Sequence, residues 1–310
     1  MDTITTAQAS VQNYLGIFLA ALILYGLIEI TYLHFFRKYK KMHEFRQNGI
    51  NFIFVIGMNA LMSVLLGTLG LAVFSLWGYK YAIFESDLSW YWWIYGLLVY
   101  EFFYWVQHWL AHKVRFFWCL HSPHHAPESM NMFVGFNHNF LETIFYMPFF
   151  FGFFPALLGV NPIIIVVVGA VDAVWGNLLH INEEVMPGKY GFLEKILQTP
   201  SYHRVHHAQN VKYMDTNYNS ITLFWDWALG TLQPLQSDEK VQYGITRDVN
   251  TGSFWDVQFG EYALLFKDIW QAPGLKNKLL YLLMPPGWSH KGEHKTVKVL
   301  KAQLREKELA

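Results

Sequence analysis

The sequence predicts an all-α protein, a multi-pass membrane bundle of about four to five helical spans with a histidine-rich helical cap on its cytosolic side. Three observations support this fold class. The chain contains five long apolar runs, only 15% of its residues are charged, and most of its histidines lie in short segments beside those runs. An average soluble domain has roughly 25% charged residues, so a soluble fold of ordinary composition is disfavoured.

The apolar runs are long enough to cross a bilayer, which takes about 20 residues per helix. Glu29 interrupts the first run and must either face the interior of the bundle or snorkel to the membrane surface, whereas Gly67 and Gly70 in the second favour close helix packing. Such runs also occur as buried helices of soluble proteins, but five in one chain are difficult to bury in any other way. They cover residues 14–36, 50–77, 90–110, 140–158 and 162–179.

Charged residues between the runs predict the orientation. The connection RKYKKMHEFR after the first run contains five Lys or Arg residues and one Glu. The positive-inside rule places it in the cytoplasm, with the N terminus outside. The start, MDTITTAQAS, has no basic segment typical of a signal peptide. Counting the spans brings every histidine segment to the cytoplasmic face of a bacterial inner membrane, or of the endoplasmic reticulum in a eukaryote.

The remaining segments predict one domain with a tail. Residues 182–253 are more polar and form the cap, in which Gly191 opens a predicted helix. The run from Phe254 is typical of an interfacial helix with aromatic anchors. We therefore expect a single integral-membrane catalytic domain over 1–290 and a basic, solvated tail over 291–310. The formal net charge of zero indicates no nucleic-acid partner, and the single cysteine, Cys119, excludes a disulfide framework.

Three short segments carry eight of the fourteen histidines of the chain. Imidazole is the commonest protein ligand for transition metals. A catalytic zinc takes three protein ligands and a structural zinc takes four, so eight imidazoles suit two metals rather than one. The segments are His108-x-x-x-His112, His121-x-x-His124-His125 and His203-x-x-His206-His207.

The spacings indicate helices whose histidines converge. His108 and His112 are four residues apart, so both rings project from one helix face. His121 and His124 are three apart, with Pro123 expected in a first turn. His125 points about a quarter turn away from His124, so adjacent histidines can serve two different metals. The isolated histidines His34, His43, His290 and His294 are interpreted as ordinary polar residues.

These segments resemble the histidine boxes of the fatty acid hydroxylase/sterol desaturase superfamily, which consists of integral-membrane di-iron oxygenases. The stretches TPSYHRVHHAQN and DTNYNSITLFWDWALGT resemble the alkylglycerol monooxygenase group and its bacterial members. The later pattern VQF…W…APGLKNK…PPGW resembles the same group. The resemblance covers residues 85–290.

The resemblance implies two Fe²⁺ ions, O₂ as a co-substrate, and an electron donor that is either a tetrahydrobiopterin-like pterin or a ferredoxin or cytochrome b5. It assigns no catalytic residue beyond the metal ligands and no cofactor-binding residue. Where many members carry an Arg-x-His-Pro run, this chain has Asn137-His138-Asn139-Phe140, so His138 is left out of the ligand set. The implied ligands are His108, His112, His121, His124, His125, His180, His203, His206 and His207.

The predicted function is O₂-dependent hydroxylation or desaturation of a lipid C–H bond, with ether-lipid cleavage first among the substrates. A sterol desaturase or oxidase, a bacterial aminolipid hydroxylase, and a histidine-rich metal-binding or transport protein are the alternatives. A zinc hydrolase is disfavoured because the chain has no HExxH motif. Polar residues near the boxes are candidates for orienting the rings. They are Asp226, Glu128, Asp215, Asn217, Asn177 and Glu183.

Overall fold

The computed structural model describes residues 20, 21, 23–36, 68–139, 141, 142, 146–188 and 190–309. Within them the fold is helical and contains no strand beyond two isolated bridges, Leu197 with Thr222 and Ala208 with Tyr243. The predicted all-α class is confirmed at this level. The basic connection after the first apolar run, and with it His43, lies outside the described residues.

The helices are numbered α1 to α11 in chain order. A π-helical turn at Pro148–Phe153 leads into α5, and short 3-10 helices lie at Met132–Phe136 and Gly191–Lys195. The helices are α1 (23–35), α2 (Thr68–Lys80), α3 (Trp90–Lys113), α4 (Arg115–His125), α5 (Phe154–Leu157), α6 (Pro162–Leu178), α7 (Pro200–His206), α8 (Phe224–Ala228), α9 (Phe254–Gln271), α10 (Gly274–Leu283) and α11 (Val297–Leu309).

The core of the bundle lies where α3 packs against α6 and the π-helical turn. Tyr100, Phe151 and Ile164 are buried there among aliphatic and aromatic neighbours. Gly96 makes the approach of α3 to α6 possible, because a Cβ atom at this position would lie only 2.4 Å from Cγ2 of Ile164. The contact between α3 and α6 brings the C-terminal ends of both helices, with their histidines, to the same end of the bundle.

Two buried acids attach connecting segments to the bundle. Glu101, in the middle of α3, accepts hydrogen bonds from the backbone N–H groups of Ile221 and Thr222 and from the hydroxyl of Thr222. Glu29, on α1, accepts from the N–H groups of Met132 and Asn182 at 2.8 and 2.7 Å. Each carboxylate thus satisfies backbone donors that burial would otherwise leave unpaired. Glu29 faces the interior, one of the two predicted positions.

The predicted spans correspond only in part to continuous helices. The third and fifth runs are the helices α3 and α6, whereas the fourth is divided between the π-helical turn and α5. The first two runs lie mostly outside the described residues. None of the helices in the described part of the chain combines the length and apolarity that crossing a bilayer requires.

One local expectation needs correction. Pro123 lies near the end of α4 instead of in its first turn, because the helix begins at Arg115 and ends at His125. Its missing N–H weakens only the final turn, where the helix stops. In the tail, no residue of α11 is buried, and Val297 and Ala302 line a cavity of about 440 Å³ together with Lys113, Asp215 and Trp288. The division of the chain at residue 290 stays a prediction.

Candidate metal centre

The nine predicted ligands lie together at one end of the bundle and form two groups. Within each group the nearest ring nitrogens lie within 4.8 Å of one another, and every ring is buried. The two groups divide neighbours in the sequence, because His124 and His125 belong to different groups, as do His206 and His207. Group 1 is His108, His112, His121, His125 and His206; group 2 is His124, His180, His203 and His207.

Helix geometry produces this division. On α4, His121 and His125 are four residues apart and point to group 1, while His124 points to group 2. On α7, His203 and the next residue after the helix, His207, serve group 2, while His206 serves group 1. Both helices therefore contribute to both groups. The expectation that adjacent histidines face different sites agrees with this arrangement.

Backbone carbonyls fix the orientation of several rings. The Nδ1 atom of His108 lies 2.6 Å from the carbonyl of Tyr218, and that of His206 lies 2.8 Å from the carbonyl of Thr216. In group 2, Nδ1 of His124 and of His180 lie 3.1 and 2.8 Å from the carbonyls of Val134 and Gly176. A carbonyl only accepts, so each Nδ1 carries the proton and each Nε2 presents a lone pair.

The lone pairs converge where a metal ion would bind. Nε2 of His121 lies 3.0 Å from Nε2 of His108 and 3.2 Å from Nε2 of His125. In group 2, Nε2 of His180 lies 3.3 Å from Nε2 of His124 and 2.8 Å from Nε2 of His203. Two nitrogens bound at a right angle to one ion at about 2.1 Å would be about 3.0 Å apart.

Hydrogen bonding cannot account for the contact between His108 and His121. His108 and His121 both use Nδ1 to donate, to a carbonyl and to the carboxylate of Glu142, so neither has a proton left on Nε2. Nε2 of His112 and Nε2 of His206 are buried with no hydrogen-bond partner among the described residues. Apposed lone pairs and orphaned buried nitrogens both fit a bound cation, so the donor set suits transition metals.

Burial keeps the imidazoles neutral, as metal ligation requires. Removal from water lowers the pKa of His180 and of His206 to about 3. The same desolvation, reinforced by neighbouring imidazoles, holds the pKa well below the usual value for His112, His124, His125, His203 and His207.

The loop after α7 positions the carbonyls that hold group 1. Asp215 and Asn217 have positive φ angles of 58° and 56°, a left-handed conformation that Asp and Asn tolerate better than most residues. This backbone path directs the carbonyls of Thr216 and Tyr218 to His206 and His108. The side chain of Asn217 keeps the loop in place through hydrogen bonds to the backbone of Tyr202 and Gln233.

Among the predicted orienting side chains, that of Asp215 lies directly beside a ring of group 1. A carboxylate oxygen of Asp215 is 3.5 Å from Nδ1 of His112, and its other oxygen pairs with Lys113. Asp226 acts one step further away, because it accepts from the N–H groups of Tyr218 and Asn219. Glu183 accepts from the hydroxyl of Tyr243. The side chain of Asn177 donates to the backbone carbonyl of Ala173, one turn earlier on α6.

Glu142 is the orienting residue that the sequence reasoning missed. Its carboxylate lies 3.2 Å from Nδ1 of His121 and 2.6 Å from Nδ1 of the half-buried His138. His138 stacks on His124, with ring centroids 4.1 Å apart, and belongs to neither main group. The signal was present in the sequence, since Glu142 is the only charged residue of the apolar run 140–158. An ionisable residue in such a run is a functional candidate by default.

Two of the isolated histidines have ordinary polar partners. Nδ1 of His290 lies 2.9 Å from the hydroxyl of Tyr281, and Nδ1 of His294 accepts from the backbone N–H of Ser289. His34 packs edge-on against Phe35. None of these three belongs to either group.

Residues 93–231 match the fatty acid hydroxylase family, and all nine histidines lie within that range. This segment of the chain is therefore similar to the fatty acid hydroxylase family. Alkylglycerol monooxygenase of Xenopus tropicalis is 34% identical over 209 residues, which are 65% of this chain and 43% of the relative. The Homo sapiens protein of the same name is 33% identical over 209 residues, again 65% and 43%.

A bacterial relative is also similar. The ornithine lipid hydroxylase OlsE of Rhizobium tropici is 32% identical over 158 residues, which are 51% of this chain and 46% of OlsE. The matched segments therefore span less than half the length of these relatives. No solved structure matches the chain.

Proposed function

We propose that this protein is a membrane-bound di-iron oxygenase of the fatty acid hydroxylase family that uses O₂ to hydroxylate a C–H bond of a lipid. The single observation that carries the proposal is the pair of adjacent all-histidine groups whose Nε2 lone pairs converge. An all-nitrogen, neutral ligand set leaves two ferrous ions redox-active, which suits oxygen chemistry rather than hydrolysis. The relatives named alkylglycerol monooxygenase and ornithine lipid hydroxylase support the lipid substrate.

In the proposed enzyme, group 1 and group 2 each hold one iron. Bound iron would supply the oxidising power that side-chain acids and bases lack. The protein's own contribution is positional. The carbonyls of Tyr218 and Thr216 orient two rings of group 1, and those of Val134 and Gly176 orient two rings of group 2. Glu142 and Asp215 hold two further rings, and burial of all nine excludes bulk water.

Membrane attachment belongs to the same proposal. Large apolar side chains are exposed at the end of the bundle away from the histidines, among them Trp77, Trp90 and Ile94. The segment of α3 from Trp90 to His108 rises about 27 Å, close to the thickness of a hydrocarbon core. We propose that this end contacts lipid and that the histidines lie at the cytoplasmic face, within reach of a lipid substrate.

The proposal also includes the substrate, the reaction and the electron donor. Ether-lipid cleavage is the first choice: hydroxylation at the ether-linked carbon would give a hemiacetal that collapses to an aldehyde and free glycerol. Desaturation, sterol oxidation and aminolipid hydroxylation are the alternatives. Electrons would come from a reduced pterin or from a ferredoxin or cytochrome b5, and a protein donor would be a further partner.

Metal analysis and lipidomics test the proposal together. We expect about two irons per purified chain, and an oxygen-dependent lipid change between cells with and without the gene. Accumulation of intact ether lipids on deletion would support ether cleavage, while a missing hydroxylated or unsaturated lipid would indicate an alternative. A purified chain without iron, or no lipid change under air, would contradict the function.

Cysteine accessibility tests the orientation. Cysteines introduced at positions 40 and 210 should be labelled from the same side of the membrane. Native Cys119 will not interfere, because it is buried and burial raises its pKa to about 12. Labelling from opposite sides would refute the topology.

A further inference from the structure

Gln258 is a fully buried amide whose hydrogen-bonding capacity is unused. Only 1% of the residue is exposed, on a helix whose other buried residue is Leu265. Neither Oε1 nor Nε2 of Gln258 has a hydrogen-bond partner in the described part of the chain. Leaving a buried amide unpaired is unfavourable, because the amide gives up its hydrogen bonds to water without replacement. An apolar residue would suit this helix face better unless something binds the amide.

The surroundings of Gln258 contain further buried polar atoms. The hydroxyl of Tyr262, one turn later on α9, is also buried with no partner among the described residues, and the buried hydroxyl of Tyr146 lies near the carboxylate of Glu142. Phe116 and Phe117 of α4 contact these two rings, with centroids 6.5 and 6.0 Å apart respectively. The two amide atoms of Gln258 and the two hydroxyls, on α9 and the segment after Glu142, are called the Gln258 cluster.

The Gln258 cluster lies close to group 1. The side chain of Asn139 donates to the backbone carbonyl of Gln258 at 2.9 Å, which ties α9 to the segment carrying Glu142. Burial raises the pKa of Tyr262, and the nearby Cys119 and Glu142 contribute to the rise. Glu142 in turn holds His121. A molecule bound by Gln258 would therefore be one side chain away from a proposed metal ligand.

The charges around the cluster select its ligand. Arg247, in the segment before α9, forms ion pairs with Asp256 and Glu261, and Arg115 of α4 forms an ion pair with Asp268. A phosphate group there would meet the carboxylate of Glu142, while the charges of these two arginines are already compensated by carboxylates. An amide and two phenols instead offer both donors and acceptors, which suit uncharged hydroxyl or amide groups.

We propose that the Gln258 cluster binds the uncharged, hydrogen-bonding polar group of the lipid substrate and that Gln258 is a specificity-determining residue. The assignment rests on the proposed function for the identity of the ligand as a lipid. The selectivity of the site does not depend on the proposed function. A site that hydrogen-bonds a polar group rejects a lipid that would leave the polar atoms of the site unpaired.

Binding measurements on the purified full-length protein test this without using turnover. The probes are a monoalkyl glycerol, with two uncharged hydroxyls, and a monoalkyl phosphate with the same chain. The wild type should bind the glycerol lipid more tightly. Gln258→Leu should weaken that binding by about tenfold or more and leave phosphate-lipid binding unchanged. Tyr262→Phe, which removes one oxygen atom, should also weaken binding of the glycerol lipid. This second variant keeps the test valid if Gln258→Leu does not fold.

Thermal unfolding distinguishes binding from a structural role. Because Gln258→Leu replaces an unpaired buried amide, the ligand-free variant should unfold at the same temperature as the wild type or higher, with unchanged iron content. Gln271→Leu, at the exposed end of the same helix, is the matched control and should change neither property. Unchanged glycerol-lipid affinity in Gln258→Leu, or preferential binding of the phosphate lipid, would overturn the assignment. These outcomes are independent of whether the enzyme hydroxylates any lipid.

Discussion

His124 and His180 face each other through their Nε2 atoms, 3.3 Å apart, although a backbone carbonyl holds Nδ1 of each ring. Because both protons are committed to those carbonyls, two lone pairs point at one another inside the protein. A cation relieves the repulsion between them. The geometry of group 2 therefore suits a bound cation, and group 1 has a similar pair in His108 and His121, where the carboxylate of Glu142 holds Nδ1 of His121.

Removing one histidine from either group should disable the centre. His125→Ala and His207→Ala should each abolish activity and lower bound iron, since these rings belong to different groups. Iron per chain and O₂-dependent lipid turnover measure the effect, and membrane insertion should not change. His290→Gln, outside both groups, is the control. Full activity in either alanine variant would rule out the two-metal interpretation.

Glu142→Gln should weaken the centre without removing a ligand. The amide oxygen can still accept from His121, but the charge that it shares with His138 is lost. Loss of such an orienting carboxylate typically costs about 10–100-fold in metal affinity or activity. Iron affinity by competition with a chelator is the measurement. His138→Ala should have a milder effect, and equal severity would place His138 among the ligands.

Asn217→Ala should destabilise the loop that carries the carbonyls of Thr216 and Tyr218. The substitution strains a left-handed backbone position and removes three side-chain hydrogen bonds, which together cost about 2–4 kcal/mol. Thermal unfolding should show the loss. Asn217→Gly, which relieves the backbone strain but not the lost bonds, should fall between the wild type and the alanine variant. An alanine variant as stable as the wild type would contradict this role.

Acid should destabilise the metal-free protein. The ligand histidines have folded-state pKa values below the unfolded value of about 6.5, with His180 and His206 at about 3. The unfolded chain therefore binds more protons between these limits, so stability is complete above pH 6.5 and is lost as the pH falls towards 3. Thermal unfolding after chelation, followed from pH 7.5 to 5.5, measures the slope. His206→Gln should make the slope shallower, and a flat profile would show that the rings are not buried neutral.

The sequence was sufficient for the parts of this protein that depend on residue type and periodicity. The spacing of His121, His124 and His125 on one helix indicated that these histidines can belong to two different sites. The position of Glu29 within an apolar run indicated a carboxylate in the interior. The carbonyls of Val134 and Gly176 could not be predicted, because every residue carries a carbonyl and only the folded backbone determines where it points. The predicted position of Pro123 was wrong. A missing N–H is tolerated in the first turn of a helix, but this helix begins at Arg115 and Pro123 lies in its last turn.

The crossed supply of ligands has a consequence for how the centre assembles. The segments of α4 and α7 each contribute histidines to both groups. An ion bound in one group would therefore hold in place the two helices that carry histidines of the other group. The second ion would then find its ligands already in place, so loading should be cooperative and singly loaded protein scarce. Through the histidine pairs 124–125 and 206–207, binding of each iron would stabilise the same part of the fold.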